Sequence, residues 1–180
     1  KDPGYLKYKS PVSKLIKIFT FNIKGKKTEV RNSLNALEKI ESPYEIINKT
    51  TNQGKYLYAR YEKLNRLYEK MLEKAKSFAD KTGVLLFVFP SEKISFTGDL
   101  ATELSYIHQD KTVVIAREKQ DEMKVSIRHQ KKDIRKIATE AMKELEGHIG
   151  GHVHAVGGSI KKKDFYIFIE RIKKLQNKKT

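Results

Sequence analysis

One segment of the chain concentrates residues that can bind an anion. Residues 147–158 hold five glycines and three histidines within twelve positions. Glycine lets the backbone adopt positive φ and approach a ligand closely, and successive N–H groups in such a turn form a concave anion site. A histidine beside them adds a directed hydrogen-bond donor. Because a plain connection between a helix and a strand rarely has this composition, we interpret the segment as an anion-binding loop.

A second candidate lies upstream, in a segment with the alternation of a strand. Ser126 and Arg128 face one side, whereas Val125 and Ile127 face the core. Arginine presents a rigid fork that matches phosphate geometry. Taken alone, the pattern fits a solvent-facing arginine on an edge strand better than a ligand site. Its combination with the glycine–histidine loop is what favours phosphate.

The three histidines of the loop also have a spacing that a transition metal accepts. His148, His152 and His154 form a His-x3-His-x-His pattern, which suits zinc or nickel. No carboxylate lies beside them in sequence, and the chain contains no cysteine. We therefore prefer the anion site and predict neither a metal ligand nor a catalytic residue here.

The elements that position these residues follow Gly83. We expect Ile107 to face inward at the end of one helix, and Gly147 to stop another in the left-handed conformation. The alternation of strands and helices predicts an α/β fold, a mixed sheet flanked by helices. The expected strands are Val84–Pro90, Thr112–Arg117, Lys124–His129 and a short one ending at Ile160, and the expected helices open at Gly98, Asp133 and Asp164.

Residues 1–82 are predicted to be a helical connector, and residues 83–180 the α/β domain. The long helix, Gln53–Lys81, has a heptad seam, which favours either a coiled-coil dimer or a connector packed on its own domain. The seam residues are Leu57, Tyr61, Leu64, Tyr68, Met71, Ala75 and Phe78. Tyrosines in the seam favour the connector. The other expectations are a helix from Val12 that becomes extended at Phe19–Ile23, a helix over Thr28–Ile40, and a short helix capped by Ser42 with Pro43 at its first position.

The formal net charge is +16, and it is concentrated at the two ends. Residues 1–27 carry +7 and residues 161–180 carry +6. Such blocks attract phosphate backbones by counterion release, although they are equally consistent with a solvated lysine-rich surface. No apolar run approaches the roughly 20 residues that span a bilayer. We expect a cytoplasmic fragment of a longer protein, and the abundance of Lys and Glu favours a thermophilic source.

Taken together, the motifs resemble the DHH-associated domain of the DHH-superfamily phosphoesterases. The shared pattern is a Ser-x-Arg strand, a helix, a Gly-Gly-His-x-His-Ala-x-Gly-Gly loop and a closing helix, together with Gly98-Asp99-Leu100-Ala101 opening the first helix. Ile149 stands where the family has a glycine, and Val156 where it has an alanine. The resemblance extends from about Val84 to Arg171.

This resemblance implies a role in substrate binding. By resemblance, Arg128 pairs with a phosphate, and Gly150, Gly151 and His152 line the same pocket. Ser126, His154 and Gly157 are further candidates. A separate N-terminal DHH domain would hold two manganese ions, and neither Asp-His-His nor Asp-x-Asp occurs in this sequence. We expect this chain alone to need no cofactor and to catalyse no hydrolysis.

The leading hypothesis is therefore the single-stranded DNA or RNA binding half of a RecJ-like exonuclease active in DNA repair or replication. Tyr56, Tyr58 and Tyr106 would stack on bases if they are exposed. One alternative is a domain of an oligoribonuclease or cyclic-dinucleotide phosphodiesterase. Another is a non-catalytic scaffold that contacts replisome proteins. The sequence does not distinguish DNA from RNA, the polarity of cleavage or the oligomeric state.

Overall fold

The chain divides into two compact units, which are described separately. One comprises Lys1–Glu73 with Lys93–Ser95, and the other comprises Lys74–Glu92 with Phe96–Thr180. The domain boundary predicted at Gly83 stays a prediction. No helix among the described residues is long and apolar enough to cross a bilayer. The structure, a computed structural model, describes residues 8, 10, 12–78, 83–90 and 94–177.

The described part of residues 8–78 is helical. Ser42 caps the helix Pro43–Ile47 as predicted, because its Oγ accepts a hydrogen bond of 3.3 Å from the Tyr44 amide and Pro43 occupies the first helical position. The helix Lys27–Leu37 begins slightly before the predicted Thr28, since the amide of Lys26 donates to Glu29 Oε2 at 3.0 Å and fixes the start. The helices are α1 (Ser13–Asn22), α2 (Lys27–Leu37), α3 (Pro43–Ile47) and α4 (Asn52–Lys76).

The prediction of an extended piece over Phe19–Ile23 is wrong, because α1 stays helical through Asn22. The ring of Phe21 is buried and lies 6.2 Å from that of Tyr61 and 5.2 Å from that of Tyr68, measured between centroids. Packing against two tyrosines of α4 therefore favours the helix, and it outweighs the strand-like alternation of aromatic residues in the sequence.

Most of the predicted heptad positions are buried along one face of α4. Leu57, Tyr61, Leu64, Tyr68 and Ala75 are each at most 8% exposed. The heptad pattern assigned Met71 and Phe78 to the seam, but Leu72 replaces Met71 and Phe78 is 47% exposed. Tyr58 and Leu72 are buried as well, although neither belongs to the predicted seam. The predicted end of the helix, Lys81, lies outside the described residues.

The second unit is an α/β fold built on a mixed sheet, as predicted. Five strands lie in the order β1-β2-β3-β5-β4, with β1 and β2 parallel and every other pair antiparallel. The strands are β1 (Val84–Phe89), β2 (Thr112–Lys119), β3 (Glu122–Arg128), β4 (Gly147–His152) and β5 (Ala155–Lys161).

Helices cover the sheet unevenly. The helices of this unit are α5 (Thr97–Ile107), α6 (Ile134–Ala141) and α7 (Lys162–Asn177). Apolar residues of α6 and α7 pack on one face of the sheet, where Val125 and Ile127 are buried, whereas α5 contacts β2 and β3. Asp133 caps α6 as predicted, because its Oδ1 accepts from the Lys136 amide at 3.0 Å. The expectation that Ile107 faces inward is wrong, because this residue ends α5 and is 47% exposed.

Candidate phosphate-binding face

The glycine–histidine segment is a β-hairpin, so the prediction of a loop is wrong. Strands β4 and β5 pair antiparallel and are joined by a turn at Val153 and His154. Glycine and histidine carry little of the β-branched and aromatic signal by which strands are recognised. The pairing of the segment with itself and with β3 supplies the strand conformation that its composition conceals.

Three of the five glycines are required by the fold. A Cβ atom at Gly147, Gly151 or Gly158 would lie 2.1–2.2 Å from a backbone oxygen of the facing strand. Gly147 and Gly151 also have φ values of 142° and 149°, a region that side-chain-bearing residues rarely adopt. Close packing of two backbones therefore accounts for these positions without any ligand.

The predicted role of Gly147 as the stop of a helix is also wrong. Gly147 opens β4, and α6 already ends at Ala141. The left-handed residue after that helix is Glu144, with φ of 64°. Five residues, 142–146, thus separate the end of the helix from the glycine.

Gly150 and Gly157 differ from the other three, because the fold leaves room for a side chain at both. Nothing lies within 4 Å of a Cβ built on Gly150, and the nearest atom to one on Gly157 is Val125 O at 3.6 Å, an ordinary contact. The two glycines are directly opposite each other, and Gly157 is also opposite Ser126. Together with Ser126 they form a shallow, unobstructed strip across β3, β5 and β4, which we call the glycine strip.

A second row, parallel to the glycine strip, carries a guanidinium group and an imidazole group. Arg128 lies opposite Ala155, which lies opposite His152. Directly opposed residues of antiparallel strands share a face, so both rows lie on the side of the sheet away from Val125 and Ile127. We call this side of β3, β5 and β4 the open face; it comprises Ser126, Gly157, Gly150, Arg128, Ala155, His152, Lys124, Ser159 and His148.

Arg128 is held on the backbone of the sheet. One terminal nitrogen, Nη1, donates to Ile127 O at 2.8 Å and to Val156 O at 3.0 Å. A guanidinium has five N–H donors arranged in a rigid fork. Fixing one nitrogen therefore sets the orientation of the whole group at the end of the glycine strip.

A third row, formed by Lys124, Ser159 and His148, lies on the other side of the glycine strip, and the charge of its lysine is paired with a carboxylate. Glu122 Oε2 accepts 2.7 Å hydrogen bonds from Lys124 Nζ and Ser159 Oγ. These bonds lower the pKa of Glu122 to about 2. The charge of Lys124 is thus matched by a carboxylate. Lys124 and Glu122 were not among the predicted site residues, although their spacing of two and four residues from Ser126 places them on its face of the strand.

Two of the predicted ligands lie off the open face. His154 sits in the hairpin turn, where its Nδ1 is 3.1 Å from Lys132 O. Gly151 lies opposite Val156, a core residue that is 1% exposed. The structure therefore brings Ser126, Arg128, Gly150, His152 and Gly157 onto one surface and leaves Gly151 and His154 outside it.

His129 organises the loop that follows Arg128. The histidine is 2% exposed, and its Nδ1 accepts hydrogen bonds from the Lys131 amide at 3.0 Å and the Lys132 amide at 3.1 Å. Burial, reinforced by the charge of Lys132, lowers the pKa of His129. A neutral imidazole is therefore part of the support for the end of β3.

The three histidines of the hairpin do not converge on a metal position. His148 and His152 are four residues apart along β4, a separation of about 13 Å in an extended strand. Within residues 8–78, 83–90 and 94–177, where described, no three His, Cys, Asp or Glu side chains group closely enough to hold an ion.

Comparison with solved structures identifies the same architecture. The RecJ of Thermus thermophilus in complex with manganese is 20% identical, with a TM-score of 0.54 over 83% of this chain and 23% of that one. A second structure, of exonuclease RecJ bound to manganese, is 19% identical, with a TM-score of 0.55 over 84% of this chain and 40% of that one. At these identities the likeness establishes the fold alone.

The chain thus spans less than half the length of either RecJ structure. No curated protein sequence matches it. The DHHA1 domain family matches residues 84–178, which is more than half of the chain and includes the whole of the open face. The chain belongs to the DHHA1 domain family, the DHH-associated domain of the DHH phosphoesterases.

Proposed function

We propose that the open face binds a phosphate group of single-stranded nucleic acid, as the substrate-binding half of a RecJ-like nuclease. The observation that carries the proposal is the opposed pair Gly150 and Gly157. The fold has room for a Cβ at both positions, so packing does not require glycine there. A ligand that lies flat against the sheet does require it, because a methyl group would displace that ligand from the backbone.

The groups around the glycine strip are those that bind phosphate. Arg128 supplies a guanidinium fork, His152 an imidazole and Ser126 a hydroxyl. The α5 helix begins beside Ser126, since a Cβ on Gly98 would lie 4.0 Å from Ser126 Oγ. The N-terminus of a helix favours a nearby anion.

A polymeric ligand fits the charge of the chain better than an isolated phosphate. The net charge is +16, and much of it lies in residues 1–27 and 161–180. Each further phosphate that a basic surface neutralises adds affinity through counterion release. The fold is also shared with exonuclease RecJ. These observations favour single-stranded DNA or RNA over a dinucleotide.

Cleavage itself is assigned to a DHH domain outside this chain. We propose that such a domain supplies the manganese ions and the ionised water, while the open face positions the substrate phosphate. The open face offers guanidinium, imidazole and hydroxyl groups, whereas Mn²⁺ prefers carboxylate oxygens. A carboxylate on the same side of β3, Glu122, is engaged by Lys124 and Ser159. We place this activity in the cytoplasm, in DNA repair or replication.

A titration of three ligands tests the proposal. The full chain is titrated with a labelled single-stranded 12-mer, in DNA and RNA forms, and with a dinucleotide, between 50 and 200 mM salt. We expect the 12-mer to bind more tightly than the dinucleotide, with a slope of log affinity against log salt of about −0.7 for each phosphate contact. Equal affinity for the dinucleotide would favour a small-molecule phosphodiesterase. An absence of binding would favour the protein scaffold in contact with replisome proteins.

A further inference from the structure

The helical unit carries an open cleft that the phosphate site does not use. It has a volume of about 400 Å³, within the range of roughly 300–1,000 Å³ that is usual for small-molecule sites. One wall comes from α2 and the residues just after it, and the other from the first turns of α4. The lining residues are Asn32, Asn35, Ala36, Lys39, Asn52, Gln53 and Tyr56.

The chemistry of the lining is unusually uniform. Its four primary amides, on Asn32, Asn35, Asn52 and Gln53, each offer two donors and two acceptor positions. None of these amide side chains forms a hydrogen bond with another residue in the described part of the chain. The single charged side chain of the lining is Lys39. The cleft therefore presents hydrogen-bonding capacity with little charge.

An aromatic ring borders these amides. Tyr56 is 40% exposed, in contrast to Tyr58 and Tyr61, which are each 8% exposed in the core of the same helix. An exposed tyrosine provides a flat surface on which a planar ligand can stack. Tyr58 lines a different cleft and is largely buried, whereas Tyr56 combines an exposed ring with the amide lining.

The two walls are fixed relative to each other. Asn22 is fully buried, and its Nδ2 donates to Leu57 O of α4 at 3.0 Å, while its Oδ1 accepts from Ser33 Oγ of α2 at 3.1 Å. Arg60 of α4 also pairs with Glu29 of α2 at 3.6 Å. A ligand entering the cleft thus meets walls that are already in position.

The first turn of α4 is equally well fixed. Thr51 Oγ1 accepts from the Gly54 amide at 3.1 Å and caps the helix. Gly54 is buried, and a Cβ on it would lie 2.3 Å from Glu45 O, so that only glycine permits this approach of α4 to α3. Asn52 and Gln53, which lie between the cap and this contact, are held at the rim of the cleft.

We propose that this amide cleft binds a base of single-stranded nucleic acid. Side-chain amides recognise base edges because each places a donor and an acceptor side by side. Tyr56 stacks on the face of the base, and Lys39 lies where it can meet a phosphate of the same strand. The low charge of the lining disfavours a phosphate as the occupant of the cleft itself. A neutral sugar would use similar groups, but it would leave the strongly basic character of the chain unused.

The inference rests on the proposed function for its choice of ligand, and the test separates the two. The full chain is titrated with a 12-mer of deoxyadenosine and with an abasic 12-mer of equal charge. We expect the deoxyadenosine strand to bind more tightly, and Tyr56→Ala to weaken its binding by about 5- to 150-fold while leaving the abasic strand unaffected. Tyr44→Ala, which removes a 70% exposed tyrosine outside the cleft, is the matched control and should leave both affinities unchanged.

Each outcome decides a specific point. If neither strand binds, the proposed function and the cleft assignment both fail. If both strands bind equally, or if Tyr56→Ala and Tyr44→Ala behave alike, only the cleft assignment is overturned. If a neutral oligosaccharide competes with the strand, and Tyr56→Ala abolishes this competition, the cleft binds a sugar and not a base. Should Tyr56→Ala unfold, Asn35→Asp keeps the size of an exposed helical residue and should weaken binding of the deoxyadenosine strand more than of the abasic strand.

Discussion

The guanidinium of Arg128 donates a hydrogen bond of 3.0 Å to the carbonyl oxygen of Val156, which joins the arginine of β3 to the backbone of β5. The same nitrogen bonds to Ile127 O at 2.8 Å. The side chain is therefore oriented before any ligand arrives, which reduces the entropy lost on binding. This bond places the guanidinium of Arg128 beside the glycine strip.

Two neighbouring glycines should respond differently to the same substitution. Gly150→Ala places a methyl group in open space, so we expect normal stability and an affinity for the labelled 12-mer that falls by about 10- to 200-fold. Gly151→Ala forces a side chain into φ of 149° and towards Ala155 O, so it should lower the free energy of unfolding by at least about 1–3 kcal/mol. Urea unfolding and oligonucleotide titration measure the two effects. Unchanged 12-mer affinity in a folded Gly150→Ala variant would contradict the assignment of the glycine strip.

Acid should weaken the fold through Glu122. Hydrogen bonds from Lys124 and Ser159 lower the pKa of this carboxyl to about 2 in the folded state, from an ordinary value of 4.5. Its contribution to stability is thus complete above pH 4.5 and is lost as the pH falls towards 2. Urea midpoints measured across this range should decline less steeply in Glu122→Gln than in the natural chain. Parallel declines in the two proteins would show that Glu122 is not responsible.

His129 should make stability sensitive to a milder range of pH. Its pKa in the folded state is lowered by burial, so protonation favours the unfolded chain. The stabilisation is complete above the ordinary pKa of about 6.5 and declines as the pH falls through and below it. His129→Asn keeps an acceptor near the Nδ1 position and cannot ionise, so its thermal midpoint should change less between pH 7.5 and 5.5. An identical pH dependence in both proteins would contradict this role.

Hydrolysis should require the DHH domain. Incubated with manganese and single-stranded DNA, RNA dinucleotides or cyclic dinucleotides, this chain alone should release no product, because two-metal hydrolysis needs ions held by several fixed anionic ligands. Addition of a DHH domain, in cis or in trans, should restore turnover. If the chain alone hydrolyses a substrate, and His152→Ala abolishes this hydrolysis, the hairpin histidines belong to a catalytic metal site.

Local signals in the sequence predicted most of the fold. The caps at Ser42 and Asp133 and the alternation around Ser126 each arise from neighbouring residues, and the structure confirms them. The short strand predicted to end at Ile160 is present as β5, whereas β4 escaped prediction because its strand conformation comes from pairing with β5, which in turn pairs with β3. The distinction between Gly150 and Gly151 likewise depends on which backbone faces each glycine. Spacing alone does not contain that information.

In the proposed function, Arg128 binds a phosphate of the nucleic acid on the open face. The most direct test compares Arg128→Ala with Arg135→Ala, which removes the same charge from an exposed position on α6, at the helix-covered side of the sheet. Affinity for a single-stranded 12-mer carrying a terminal phosphate is measured for both at fixed salt. We predict a loss of about 10- to 150-fold for Arg128→Ala, which corresponds to a charged hydrogen bond of about 1.5–3 kcal/mol, and a clearly smaller loss for Arg135→Ala. Equal losses in the two folded variants would contradict a phosphate site at Arg128.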